Sequence, residues 1–383
     1  MRYLSFNRIT TLILVCSMGL IAFIPAGLQV LVSQSSALLT ERAESTPLII
    51  GAKGSPLELV LNAMHFSSGT PEAFPYHELE RALDTEFATV IPLNTRFRSN
   101  DYPIVGTSFD YFEFRNLGLK EGRMLAQLGE CVIGASVAEA LSLEAGDSII
   151  SSPEGLFDFA GVYPLKMTIV GVLEATGSSD DLAVFTDLKT VWVISGLAHG
   201  HDDLEAGTTA SHGEENSGPV VGNASVRLYQ EITDANRDSF HFHGDPDTFP
   251  ITGLIAIPRD SKSEVLLEGR YQSPDERMQV LHPDRVIASL MDTVLTARDY
   301  IFAGVLLVGG AVVVTAFLVF QLSFRLRKRE FETMERIGIS KVSIRLLLSI
   351  EIFATLMMSL ALAAVLTFFT SVFGKELIES LIW

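Results

Sequence analysis

Ser323-Phe-Arg-Leu-Arg-Lys-Arg-Glu-Phe-Glu-Thr-Met-Glu-Arg-Ile-Gly338 is charged sequence set between two apolar runs. Tyr300 to Leu322 precedes it and Ile344 to Phe373 follows. Each run is long enough to cross a bilayer core of ~30 Å, which takes about 20 helical residues. Inside the charged stretch, Phe331, Met334 and Ile337 recur every third residue and form an apolar stripe that a partner's groove can take. The alternative is a helix lying on lipid headgroups with its basic residues toward them. Gly338 is placed to end this helix and Ser340 to cap the next. A short charged helix pinned between two spans passes force between a soluble partner and the membrane, which points to a transducer more than an enzyme.

Working outward, Thr11 to Val32 is a third hydrophobic stretch. The chain is 48% hydrophobic with a mean hydropathy of +0.33, apolar for a soluble protein yet polar for a polytopic one. The expected organisation is a first helix within 1–32, an insert over 33–298, and a second span over 299–322. A charged loop over 323–343, a third span over 344–373 and an outer tail over 374–383 complete it. The loop from Arg325 to Arg345 is net positive and the N-terminus adds Arg2 and Arg8, so both belong on the cytoplasmic side. The insert holds 39 Asp and Glu against 18 Lys and Arg, within a chain of net charge −18. So acidic a domain excludes nucleic acid as a partner and does not lie flat on anionic lipid.

A cleaved signal peptide is the other reading of the first stretch, with Ser33–Ala37 as its cleavage region. A lipoprotein is excluded because Val15 stands where a small residue precedes a lipidated cysteine. Cys16 and Cys131 fall in different compartments, so no disulfide framework supports the insert. An insert of this length buries its own core, in two subdomains.

Short strands and helices alternate along it, the mark of an α+β domain. Pro47 to Gly54 reads as an entering strand, followed by a helix start at Ser55-Pro56. Strands are expected at Pro103–Thr107, Glu130–Gly134, Lys166–Leu173, Leu182–Thr186, Ala224–Tyr229 and Thr252–Ile257. Helices are expected at Ser136–Leu143, Asp187–Ile194, Ser263–Gly269 and Pro283–Thr296, the last running on into the second span. Residues 198–222 form a loop rich in His, Gly, Ser and acids.

Pro103-Ile-Val-Gly-Thr-Ser-Phe-Asp-Tyr-Phe112, Gly122-Arg123, Glu130-Cys-Val-Ile-Gly-Ala-Ser-Val-Ala138, Leu143-Glu-Ala-Gly-Asp147 and Thr168-Ile-Val-Gly-Val-Leu173 follow one another in an order of their own. That order resembles the periplasmic core of MacB/FtsX-type ABC transporter permeases. The likeness continues through Arg325–Ser340 and Ile344–Glu351, and covers most of the chain.

The resemblance implies α-helical membrane spans carrying a large α+β extracytoplasmic domain of the MacB-like periplasmic core type. It implies a multi-pass protein of the inner (plasma) membrane whose large domain is periplasmic. ATP would be hydrolysed by a separate ABC ATPase subunit docked on Arg325, Arg329, Glu330, Phe331, Met334, Glu335, Ile337 and Gly338, with no cofactor in this chain. A homodimer or heterodimer of permeases in membrane lipid is implied as well. Three uses of the motion stay open: export or lipid and lipoprotein handling, an FtsX-like scaffold that activates a periplasmic partner, and a metal-linked role suggested by the histidine-rich loop. Permeases of this type usually have four spans, whereas three are legible here, which puts the family's dimer packing in question.

Five of the eight histidines, His199, His201, His212, His241 and His243, crowd into one region. Imidazoles two apart on a strand share a face, so His199/His201 and His241/His243 are candidate zinc ligands, with Asp202, Asp203 and Asp245 beside them. The plainer reading is a solvated acidic loop. Glu351, two turns into the third span, is either functional or paired with Arg345 or Lys341. Asp180-Asp181 reads as a cap or a solvated turn. No GxxxxGK[ST], GxSxG or HExxH motif occurs, so no enzymatic activity is expected of this chain itself.

Overall fold

A computed structural model describes residues 8–67, 69, 71–152, 163–199 and 229–382. The chain forms two units, one of Met1–Glu41 with Ala288–Ile382 and one of Arg42–Ile287. Helix α1 (Arg8–Glu44) comes first. After it come β1 (Leu48–Ala52), α2 (Pro56–His65), β2 (Phe74–Pro75), α3 (His77–Leu83), β3 (Ala88–Ser99) and β4 (Tyr102–Thr107). Then follow α4 (Phe109–Phe114), β5 (Leu119–Gly122), β6 (Glu130–Ile133), α5 (Ala135–Leu141), β7 (Ser148–Ile150) and β8 (Leu165–Leu173). A 3₁₀ turn at Ser179–Leu182 leads into β9 (Val184–Asp187), α6 (Leu188–Ile194) and β10 (Ala198–His199). The remaining short elements are β11 (Gln230–Glu231), β12 (His241–Phe242), β13 (Pro250–Ile251), β14 (Gly253–Pro258), α7 (Ser261–Arg270) and β15 (Met278–Leu281). The chain ends with α8 (Pro283–Leu326), α9 (Lys328–Arg336) and α10 (Lys341–Ile382).

One mixed sheet organises the second unit, in the order β11-β8-β6-β9-β4-β3-β14-β1-β15, with β5 and β7 also on β8. The pairs β11–β8, β6–β8 and β4–β9 are parallel and the others antiparallel. Two apolar clusters cover it. One gathers Leu48, Ile50, Leu254 and Phe249 around Trp192, whose indole N–H donates to the Pro250 carbonyl at 2.9 Å. The other gathers Ile104, Ile133, Met167, Ile169 and Val184 together with the buried Cys131. Local chemistry sets the helix starts. Ser55, Asp187 and Asp260 each accept the backbone N–H three residues on, from Glu58, Thr190 and Ser263.

Strand β3 is the longest of the sheet and has no clean signal in the sequence, because Pro92, Asn94 and Arg96 interrupt its apolar residues. The structure shows how Pro92 is accommodated. Its carbonyl accepts from Thr107 Oγ1 at 2.8 Å on the β4 side, and Leu93–Thr107 is the last pair with β4. A residue's N–H and C=O point to the same side of a strand, so the missing N–H faces the place where pairing has already ended.

Helices α1, α8 and α10 are each long and apolar enough to cross a membrane, by length and composition. At 44 residues α8 is about 66 Å long, twice the ~30 Å hydrocarbon core. The expected boundaries shift accordingly. Helix α1 runs past residue 32 to Glu44, and α10 continues as helix to Ile382 beyond its membrane-capable stretch Lys341–Gly374. Helices α1 and α10 meet closely at Gly19, where an added Cβ would sit 2.9 Å from Leu362 and 3.1 Å from the Ser359 carbonyl. Small residues at such crossings let backbones approach within an apolar medium. Gln34 Nε2 on α1 donates to the Ser371 carbonyl on α10 at 2.9 Å.

Candidate functional site

The charged segment is a short helix set between two long ones. Arg327 leaves helical geometry and ends α8, α9 follows as nine residues, and Gly338 at φ +99° turns the chain. That left-handed conformation favours glycine. Ser340 Oγ then accepts the Ser343 N–H at 3.2 Å and starts α10.

The joint is held from inside. Arg327 Nη1 donates to Glu351 Oε2 at 3.1 Å and Nε to Glu330 Oε2 at 3.3 Å. Its guanidinium lies 5.0 Å from the Phe331 ring centre, and Phe331 stacks on Phe324 at 5.3 Å. Glu351 is only 9% exposed, and Thr355 on the next turn donates to its carbonyl. The partner of Glu351 is therefore Arg327, neither Arg345 nor Lys341, and Lys341 pairs with Glu335 at 3.0 Å.

The apolar stripe divides. Phe331 is buried against its own chain, Met334 is half-buried and Ile337 is 76% exposed. Phe331 thus anchors α9 from within, while Ile337, Arg325, Arg329, Glu330, Glu335 and Gly338 remain exposed. Periodicity located the stripe but could not say which of its members would find a partner in the same chain.

In the second unit, a buried polar cluster surrounds Arg42 in the last turn of α1. Its guanidinium grips Asp180 with two hydrogen bonds, Nη1 to Oδ2 at 2.7 Å and Nη2 to Oδ1 at 2.9 Å. Nη2 also reaches the Tyr111 hydroxyl at 2.9 Å, and that hydroxyl donates to Asp180 at 2.7 Å. Ser178 Oγ donates to Asp180, and His65 Nδ1 meets Ser179 Oγ at 2.8 Å. Arg115 binds Thr46 Oγ1, which donates to the Arg42 carbonyl. Phe66, Phe112 and Phe185 wall the cluster in.

The reading of Asp180-Asp181 as a solvated turn is corrected, because Asp180 is only 2% exposed. Asp181 is also buried and acts as a cap, accepting the N–H groups of Thr176 and Gly177. Burial pushes the Asp180 carboxyl upward, but Arg42 and the Tyr111 hydroxyl outweigh it and hold the group below the usual carboxylate range. Burial first, then the charges of Arg42 and Arg115, lower His65 to about 3. Arg42 and Asp180 lie 138 positions apart, and nothing in either neighbourhood announces the pair.

Among the histidines, His201 and His212 lie outside the described residues. His199 on β10 stands directly opposite His241 on β12. The rings of His241 and His243 are 4.6 Å apart between centres. A further cluster, Glu264 and Glu268 on α7 with His282 just before α8, went unnoticed in the sequence. There His282 Nε2 contacts Glu268 and Nδ1 lies 3.7 Å from Glu264, so the two ring nitrogens face different carboxylates. The three residues each offer one ligand atom, and these atoms lie within 4.8 Å of one another.

Residues 11–226 match the MacB-like periplasmic core domain, and the chain belongs to that family. Two solved structures are similar at low identity. The periplasmic region of MacB from Actinobacillus actinomycetemcomitans is 12% identical, covering 66% of this chain and 97% of that one, with a TM-score of 0.36. The extracellular domain of the noncanonic ABC-type transporter YknZ from Gram-positive bacteria is 11% identical, covering 61% and 98%, with a TM-score of 0.33. No curated protein matches the chain.

Proposed function

We propose that this chain is the permease-type subunit of an ABC system of the MacB/FtsX kind. It has no hydrolytic chemistry of its own. A separate ATPase binds the α9 segment from the cytoplasm, and its cycle moves the periplasmic domain. The reading is supported by family membership and carried by one observation. A nine-residue charged helix between two apolar helices is pinned to the second of them through the buried Arg327–Glu351 pair. Such a pin transmits displacement of α9 to α10, whereas a freely solvated loop would absorb it. The net positive charge around α9 and the acidic insert support a topology with the N-terminus inside and the large domain outside. The two apolar clusters are read as two subdomains of that domain.

Docking is tested at the exposed end of the stripe. Ile337→Asp puts a charge on a 76% exposed position outside the Phe331 anchor, so it abolishes recovery of the ATPase with the purified permease and leaves the chain folded in the membrane. Co-purification at wild-type yield sinks the docking claim. Topology has its own test. A reporter active only outside the cytoplasm, inserted at residue 54 between β1 and α2, is active on this reading. Its silence, with a cytoplasmic reporter working at the same place, reverses the orientation.

A further inference from the structure

We propose that Glu264, Glu268 and His282 form a binding site for a divalent cation of the zinc type, with two carboxylate oxygens and one imidazole nitrogen as its protein ligands. The three ligand atoms lie within 4.8 Å of one another, and among the described residues this is the group of acids and histidines that comes together in this way. Around an ion with bonds of about 2.0–2.2 Å, ligand atoms stand roughly 3–4 Å apart, so small rotations of the side chains close the shell.

The scaffold delivers the ligands from two directions. Glu264 and Glu268 are four apart on α7, which places both on one face of the helix. Asp260 caps that helix, and the fully buried Leu267 anchors it in the cluster that also holds Met278. His282 comes from the other side. Leu281 before it pairs with Ile49 on β1, and the His282 carbonyl accepts the Val286 N–H at 3.1 Å in the first turn of α8. The imidazole thus stands on backbone fixed by sheet before it and helix after it, so little has to be ordered when an ion binds.

Charge points to a cation. Carboxylates four apart on a helix repel one another, and His282 is the one ion-pair partner that either has among the described residues. With the ring neutral, as ligation requires, the group holds two negative charges that a divalent ion balances. The side chains are partly buried, 14% exposed for His282 and 35% and 28% for Glu264 and Glu268, so solvent screens that repulsion less than on an open surface. The ligand set selects the ion. Mg²⁺ and Ca²⁺ are held by oxygen, whereas an imidazole nitrogen beside carboxylates suits Zn²⁺ and related borderline ions. Three protein ligands leave a fourth position to water. A bound ion ties α7 to the residue at which α8 begins. The site stands apart from the transport reading and does not depend on it.

The test uses the full chain in detergent, stripped with chelator and titrated with ZnCl2 by calorimetry at neutral pH. Glu264→Gln/Glu268→Gln keeps the size of both side chains and removes their charge. It is expected to bind about one zinc per chain fewer than the wild type, and His282→Ala likewise, with circular dichroism unchanged. Equal stoichiometry in the wild type and both variants overturns the proposal, and so does a wild type that binds no zinc. A zinc lost only in His241→Ala/His243→Ala also overturns it and assigns the ion to the histidine-rich region. Anomalous scattering at the zinc edge from crystals of the wild type needs no variant. A peak between α7 and His282 is expected, and peaks only elsewhere refute the site.

Discussion

Asp180→Ala is expected to lower the stability of the MacB-like core domain by about 3–5 kcal/mol, because it strands the buried Arg42 guanidinium without its counter-charge. A loss of that size is a large share of the roughly 5–15 kcal/mol that holds a domain folded. Urea unfolding of the full chain in detergent, followed through Trp192, measures it. The companion variant Arg42→Met/Asp180→Leu should recover most of the loss, since a buried ion pair often matches well-packed apolar residues in stability. If the single change barely moves the midpoint, the cluster contributes no more than a surface pair would.

The same cluster makes the domain acid-sensitive. His65 titrates lower when folded, at about 3, than its ordinary 6.5. Between those values the unfolded chain binds the proton and the folded one does not, so stability rises with pH across that window. It is complete above about pH 6.5 and falls as the pH drops toward 3. Asp180, also depressed, acts in the same direction but at lower pH, below the ordinary carboxylate value. Removing the His65 titration with His65→Gln should therefore flatten the pH dependence between about 6.5 and 4 and leave the steeper loss below it. A wild-type slope unchanged in that variant would show that other groups set the response.

The second large effect is expected at the joint between α8 and α9. Arg327→Ala leaves Glu351 charged and unpaired in an apolar setting, at a cost of about 3–5 kcal/mol. Neutralising the carboxylate as well, in Arg327→Ala/Glu351→Gln, should restore the detergent melting temperature because no lone charge remains. On the proposed mechanism it should not restore the permease's stimulation of ATP hydrolysis, because α9 is no longer pinned to α10. Stability and coupling therefore separate in the double variant. Recovery of both would show the pair to be structural only.

Much of the plan was legible along the chain. The apolar runs marked three helices, and Ser55-Pro56 and Asp187 stood at true helix starts because capping is decided within a turn, whereas the helix expected from Ser263 begins at Ser261 behind its cap Asp260. The entering strand at Leu48–Ala52 and the buried strand at Leu165–Leu173 were equally readable, since a continuous apolar run between turn residues leaves few alternatives. Family membership, carried by the order of short motifs between Pro103 and Leu173, was readable too. The long strand β3 was not, because the tolerance of Pro92 depends on where a neighbouring strand stops pairing.

The sequence by itself determined which segments are apolar enough to span a bilayer, where helices begin, where glycine must turn the chain at 338, and how charge divides along the chain. Those properties depend on residues within a few positions of one another, or on sums over a segment. Tertiary structure alone decided that Glu351 takes Arg327 over the nearer Lys341 and Arg345, that Phe331 faces inward while Ile337 faces out, and that Arg42 meets Asp180 across 138 positions. Each is a choice among partners of similar chemistry. The desolvation that makes one choice binding exists only once the chain has packed around it.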